Sequence, residues 1–440
     1  MAHVTEAACL LDSGVVYGSR VLLRPPTGAP VFAGFKAGVF SLYCGDAPVF
    51  HFDLEGRWQK VFLDGRHCLK GLDTRVQAIE RSRQGTSLIL TRRALPYAEA
   101  SDLDALVRAT ALDLAADLDA GRYERLDPPP TARPLALEDL RAFLEAATRW
   151  DAAAWFAHRA RYLDTYGPLP LPLLPPDCTN PLVLQATLGD ESGRTFGSAP
   201  ACRFHARTPT EFATHTGDVA KLFGRRIVQC RQVFLAGADA LRRPLDEVAG
   251  YLDLASRTFP VEPGLGPRRP DTGEDVQPRL DGVHAFLDRF DPPLPDRKGW
   301  TELRSRGLTR VSLGIESGDP AVRARFGKSW TNEVLVSLVA NLEAAAIGVT
   351  VILLVGAGGV EHDDDRQAEA TADLLLTLPL GAGDLVSLLG ASDLPGPDHL
   401  TPLAPVARAV RFADLRARLA PLKDRKVRVA PWSMDRQTAL

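Results

Sequence analysis

Apolar residues recur along this chain with two different periods, and the change of period divides it. From about Val15 to Thr91, short apolar runs are broken by glycines and turn residues. GVFSLYC and PVFHFDL, separated by Gly-Asp-Ala, predict antiparallel strands joined by hairpins. From Pro96 to Thr165 the period lengthens. ASDLDALVRATALDLAADLDAG and LALEDLRAFLEAATRWDAAAWFAHRARYL repeat apolar residues every third or fourth position and predict amphipathic helices, with Ser101 as an N-cap. The proline-rich stretch YGPLPLPLLPPDCTNP (Tyr166–Pro181) then predicts a stiff extended connector.

Beyond it, six apolar runs alternate with helical patterns such as TNEVLVSLVANLEAAAIG. They are LVLQATLG (Leu182–Gly189), CRQVFLAG (Cys230–Gly237), VHAFLDRF (Val283–Phe290), TRVSLGIE (Thr309–Glu316), GVTVILLVG (Gly348–Gly356) and GDLVSLLG (Gly383–Gly390). Strands separated by helices predict a parallel sheet, because each crossover runs back over one face. Strands this apolar are buried on both faces. The fold expected is α/β: a partial (β/α)6 TIM-like barrel preceded by a β-rich N-terminal domain and a helical connector. An open doubly wound sheet is the alternative. The divisions expected are 1–95 for the β-rich domain, 96–165 for the connector, 166–181 for the linker, 182–400 for the barrel, and 401–440 for a C-terminal helix and tail. In either architecture the chemistry belongs at the C-terminal ends of the parallel strands.

Composition narrows the function classes. The 440 residues carry a net charge of -3 without a basic block, so no nucleic-acid footprint is expected. The longest apolar run, VTVILLVGAGGV, is too short and glycine-rich to span a bilayer, and MAHVTEAACLLDSG lacks the pattern of a leader. Six scattered cysteines give neither a disulfide framework nor a zinc knuckle. The expectation is a soluble, cytoplasmic protein with reduced thiols.

The strand ends hold the candidate chemistry. Gly237-Ala238-Asp239, Gly314-Ile315-Glu316-Ser317-Gly318 and Gly356-Ala357-Gly358-Gly359 place small residues where a ligand can approach the backbone. Glu316 is a charged residue ending a buried strand, which requires a partner or a ligand. This set suits a small-molecule ligand of nucleoside type. The acidic run EHDDD (Glu361–Asp365) could attract a divalent cation, and acids complementing a helix N-terminus explain it equally well.

VFLAGADAL, AFLDRF, LRSRGLTRVSLGIESGDPAVRARFGK and VTVILLVGAGGVEH together resemble the barrel of the radical S-adenosylmethionine superfamily, over about Leu182 to Gly390. The resemblance implies S-adenosylmethionine as cofactor. It implies that Gly237, Ala238 and Asp239 lie at the methionyl amino group, Glu316 and Ser317 near the ribose, and Gly356 and Gly358 near the adenine. Lys328 matches a lysine that commonly follows the strand-four motif, without an assigned role. The superfamily also holds a [4Fe–4S] cluster with three cysteines after strand one, commonly spaced CxxxCxxC.

Here the corresponding stretch, GDESGRTFGSAPACRFH (Gly189–His205), contains one cysteine. In one register Ser198, Cys202 and His205 take the three ligand positions. In the other, Asp190 and Gly197 replace the outer cysteines, the middle one is deleted, and TPTEF opens a helix with Glu211 in its first turn. Three readings stay open. The first is a pseudoenzyme barrel binding S-adenosylmethionine or a related nucleoside. The second is an active radical enzyme whose iron–sulfur cluster is held by Cys202 and His205. The third is a protein that engages a protein partner through its N-terminal β domain.

Overall fold

The computed structural model describes residues 18–26, 28–36, 38–84, 87–126, 133–167, 174–178, 180–189, 203–237, 239–264, 279–358, 364–391 and 405–432. The fold is mixed α/β, built on a large antiparallel sheet and a separate parallel one.

The first sheet is a meander of β1 (Ser19–Arg24), β2 (Val31–Lys36), β3 (Val39–Cys44), β4 (Val49–Phe52), β5 (Trp58–Leu63), β6 (Arg66–Lys70), β7 (Val76–Gln84) and β8 (Ser87–Ala94). Helix α1 (Tyr97–Asp119) follows. Two short strands, β9 (Glu124–Leu126) and β10 (Arg133–Pro134), return to pair with β1. Helices α2 (Leu137–Thr148) and α3 (Ala152–Tyr166) complete this part. Phe40, Phe50, Phe52 and Trp58 of the sheet share one core with Val107 and Leu114 of α1 and Leu140 and Leu144 of α2. Ser101 is not the N-cap expected of it: α1 begins at Tyr97 behind Pro96, whose fixed φ starts the helix a turn earlier.

The second sheet carries β11 (Leu182–Gln185), paired through β14 (Val233–Ala236), β15 (Val283–Leu287), β16 (Leu308–Glu316), β17 (Gly348–Val355) and β18 (Leu385–Gly390) to β19 (Arg428–Trp432), every pair parallel. A small hairpin, β12 (Thr187–Leu188) with β13 (His205–Ala206), lies just past β11. The crossovers include α4 (Pro209–Phe223), α5 (Leu245–Thr258), α6 (Arg297–Ser305), α7 (Pro320–Arg325), α8 (Asn332–Ala344), α9 (Asp364–Thr377) and α10 (Pro405–Arg418). Strand order follows chain order without reversal. A doubly wound sheet needs a reversal at its switch point, so that alternative does not describe this sheet. The seventh strand, β19, lies where a C-terminal helix and tail were expected.

Alternation divides each parallel strand between two environments. In β16, Val311, Leu313 and Ile315 belong to the core that the helices cover. Arg310, Ser312, Gly314 and Glu316 take the other face, and it too is almost entirely closed to solvent. That face is polar, which the apolar reading of these strands did not anticipate. At its base, Asp177 of the proline-rich connector accepts from Thr350 Oγ1 at 2.5 Å and pairs with Arg310 Nε at 3.2 Å.

The two sheets are joined by buried charge. Arg57, in the turn before β5, donates to the carbonyls of Leu222 (2.7 Å) and Phe223 (2.5 Å), at the C-terminus of α4. Its Nε pairs with fully buried Asp53 at 2.7 Å. A helix C-terminus leaves carbonyls without intrahelical partners, and a guanidinium from the other sheet satisfies two of them here. Among the described residues no helix is long and apolar enough to cross a membrane.

Candidate functional site

The C-terminal rim of the parallel sheet is organised by one unusual residue. Glu316 ends β16 with φ +57°, in the left-handed region that costs a side-chain-bearing residue roughly 1–2 kcal/mol. The register with β17 slips at the same point, from Gly314 opposite Ile352 to Glu316 opposite Leu353, which is a bulge. Bulges re-aim side chains, and this one turns a carboxylate that is only 6% exposed into a buried ion cluster. Lys328 Nζ lies 2.7 Å from Asp288 Oδ1 and also pairs with Glu316 Oε2 and the Gly314 carbonyl. Gly314 is required: an added Cβ would stand 2.2 Å from Asp288 Oδ1. Asp288, Glu316 and Lys328 are all buried, and buried charges persist only when paired in this way.

A cation ties three neighbouring pairs of strand-end loops. After β14 and β15, Arg242 donates to the Asp291 carbonyl at 2.7 Å and stands 3.7 Å from Asp239. Lys328 joins the ends of β15 and β16. After β16 and β17, Arg325 donates to the Gly358 carbonyl at 2.8 Å. Gln367 of α9 reinforces that last join, accepting from Gly358 N–H at 3.3 Å and reaching Ser317 Oγ at 3.4 Å. Arg323 is fully buried beneath the Ser317–Gly318 turn, donating to the Gly318 carbonyl at 2.8 Å with its guanidinium over the Trp330 ring. Burial lowers its pKa, and Asp319 and Glu316 oppose that shift.

Beside Glu316 opens a cleft of about 400 Å³ between the ends of β16 and β17 and helices α9 and α10. Its walls mix the apolar Leu354, Val355 and Leu415 with the polar Gln367, Asp365 and Asp414. Among the residues expected at the site, Glu316 and Gly356 border this cleft. Ser317 is fully buried behind Glu316 and accepts from Asp319 N–H at 3.1 Å. Gly358 is engaged with Arg325 and Gln367. Gly237 sits against Thr187, where a Cβ would meet Thr187 Oγ1 at 2.0 Å. Asp239 is buried beside Arg242, two strands away from the cleft. His205 lies in β13, half exposed, with Nε2 3.3 Å from Glu211 Oε1. Ala238 and Cys202, like Asp190, Gly197, Ser198 and the run 361–363, lie outside the described residues.

Sequence reasoning did not single out Asp288 or Arg323 and gave Lys328 no role, although all three form the centre of the rim. The signal for Lys328 was present in the Gly-Lys that follows the strand-four motif. Nothing local marked Asp288, since an acid after VHAFL reads equally well as a turn residue.

No family model matches the chain, and no curated protein matches it. Its structural neighbours include radical S-adenosylmethionine enzymes at low identity. One is TsrM from Kitasatospora setae, a radical S-adenosylmethionine methyltransferase with cobalamin and a [4Fe–4S] cluster bound. It is 15% identical over 56% of this chain and 54% of that one, with a TM-score of 0.36. The cobalamin-dependent S-adenosylmethionine radical enzyme OxsB is 14% identical over 44% and 26% of the two chains, with a TM-score of 0.30. HydG, a maturase of the [FeFe]-hydrogenase, is 12% identical over 73% and 65%, with a TM-score of 0.34. The chain thus spans about half the length of TsrM and about a quarter of OxsB.

The donor set for a three-thiolate cluster can be tested directly. Of the six cysteines, Cys44 and Cys68 belong to the antiparallel sheet. Cys178 and Cys230 are buried where the chain enters β11 and β14, at the opposite end from the rim, and burial raises the Cys178 thiol pKa well above its ordinary value. Cys9 and Cys202 are the two that remain. Three thiolates cannot converge on the rim, so this chain does not fit a cluster held by three of its own cysteines. Among the described residues no cluster of His, Cys, Asp and Glu is arranged to hold a metal ion.

Proposed function

We propose that this chain is a partial (β/α) barrel of the radical S-adenosylmethionine kind whose rim binds S-adenosylmethionine or a related nucleoside, without a [4Fe–4S] cluster held by three cysteines of this chain. The observation that carries the reading is Glu316: a bulged, left-handed, nearly buried carboxylate on the edge of a cleft. Strain of this kind persists where the surroundings over-determine it, and it points to function. A carboxylate held there accepts hydrogen bonds from vicinal hydroxyls such as those of a ribose. Leu354 and Val355 offer an apolar wall for a base, and the glycine at 356 leaves backbone accessible beside it.

Calorimetric titration tests the assignment. Adenosine and S-adenosylmethionine bind the wild-type protein. Glu316→Gln weakens both by about 10- to 100-fold, the effect of losing a charged acceptor worth about 1.5–3 kcal/mol. 2′-Deoxyadenosine binds the wild type more weakly than adenosine by a similar factor, and that discrimination disappears in Glu316→Gln. No binding to the wild type, or equal affinity for the two nucleosides, contradicts the reading.

A further inference from the structure

The rim cluster is unbalanced: two buried carboxylates share one ammonium. Lys328 comes from the turn after α7, reaches back beneath the strand ends, and contacts Asp288 at the end of β15, Glu316 at the end of β16 and the Gly314 carbonyl between them. The sequence offers no local reason for a lysine to be buried here. Its side chain is 3% exposed, whereas an ordinary lysine after a short helix keeps its ammonium in water.

We propose that Lys328 is a positioning residue for the ligand assigned above: it fixes the Glu316 carboxylate at the cleft edge and keeps Asp288 and Glu316 from sharing a proton. This inference rests on the nucleoside reading of the same cleft. The argument is geometric. Glu316 has left the regular strand through a bulge and a left-handed φ, so the backbone alone does not hold it in place. The ammonium supplies the restraint, and it is itself located by two further acceptors on rigid strands. Nζ donates to Asp288 Oδ1 and the Gly314 carbonyl, and these two hydrogen bonds hold it beside the Glu316 carboxylate. The other charges facing Glu316 are Arg323 beneath the Ser317–Gly318 turn, Asp365 on α9, and Arg411 and Asp414 on α10.

Removing the ammonium leaves two carboxylates close together in a buried setting, where one takes up a proton. Lys328→Met is therefore expected to bind adenosine roughly tenfold or more weakly at neutral pH, with affinity recovering as pH rises and the shared proton leaves. Wild-type affinity should be flat across the same range. The variant Asp288→Asn with Lys328→Met removes the second carboxylate as well, so it is expected to lose the pH dependence, while Glu316, still without its ammonium, binds adenosine more weakly than in wild type. Difference infrared spectra taken alongside should show the carbonyl stretch of an un-ionised carboxyl in Lys328→Met, absent from the wild type and from the double variant.

Lys328→Met binding like wild type at every pH overturns the proposal. So does a Lys328→Met variant that is equally weak at every pH and shows no new carboxyl band, because a merely structural lysine would give that result. Should Lys328→Met fail to fold, Asp288→Asn alone, which keeps the Lys328–Glu316 pair, is expected to retain binding within about threefold. Loss as deep as that of Glu316→Gln overturns the proposal. If the wild type binds no adenosine, the nucleoside reading fails and the positioning role falls with it. The infrared band then still reports separately whether Lys328 keeps the two carboxylates apart.

Discussion

A hydrogen atom in place of a methyl group makes the buried ion cluster possible. Asp288 Oδ1 occupies the space that a Cβ at position 314 would need, and the Gly314 carbonyl accepts from Lys328 on the same side. Gly314→Ala is expected to cost about 1–3 kcal/mol, the range for forcing an added carbon into a packed interior, and to separate Asp288 from Lys328. Chemical denaturation reads the first effect, and reduced adenosine affinity reads the second. At this scale the sequence was only partly legible. Glu316 was visible because a charge closing an apolar strand demands a partner. Its partner was not visible, since Lys328 is twelve positions away along a path set by α7 and its turn. Asp239 lies elsewhere on the rim. It stood out as a strand-end acid, yet it is buried beside Arg242, two strands from the cleft, in a contact joining two loops.

Elements were more legible than contacts, because periodicity is local. All six apolar runs contain strands of the parallel sheet, in the order the chain presents them. The TPTEF segment forms the expected cap: Thr208 Oγ1 accepts from Glu211 N–H at 3.3 Å while the Glu211 carboxylate accepts from Thr208 N–H at 2.7 Å, a complete capping box at the start of α4. Strand β19 escaped for a physical reason. RVAPW is short, half-exposed and contains a proline, which a sheet tolerates at an edge and which erases the apolar run that marked the other strands. The polar inner face of β16 was missed for a similar reason. Arg310, Ser312 and Gly314 interrupt the run too weakly to break it, so the strand reads as uniformly apolar when one face packs helices and the other carries the buried ion cluster.

The whole molecule depends on long-range polar contacts that sequence does not announce, including the Arg57 link between the sheets, the buried histidines His158 and His215, and the half-buried His284. His215 shows how such a histidine is fixed. Its Nε2 accepts from Gln185 N–H at 3.0 Å, so protonating that nitrogen would break a bond between α4 and β11. Burial is the largest cause lowering each pKa: His158 and His215 to about 3, and His284 to about 4. In each case the folded-state value lies below the unfolded value near 6.5, so the unfolded chain takes up the protons first. Stability is then lost as pH falls from about 6.5 towards 4, at up to about 4 kcal/mol per pH unit when all three are involved. Denaturant midpoints measured across that window should fall steeply, and a flat profile would show the histidines to be solvated.

At the same scale, the central proposal is that this parallel sheet offers a rim for a nucleoside and holds no iron–sulfur cluster. Iron and acid-labile sulfide, assayed after anaerobic reconstitution of the wild type and Cys202→Ala, test it most directly. The account predicts iron at background in both proteins. About four irons per chain in the wild type, lost on changing Cys202, would contradict it and show a cluster held by a donor set other than three cysteines of this chain.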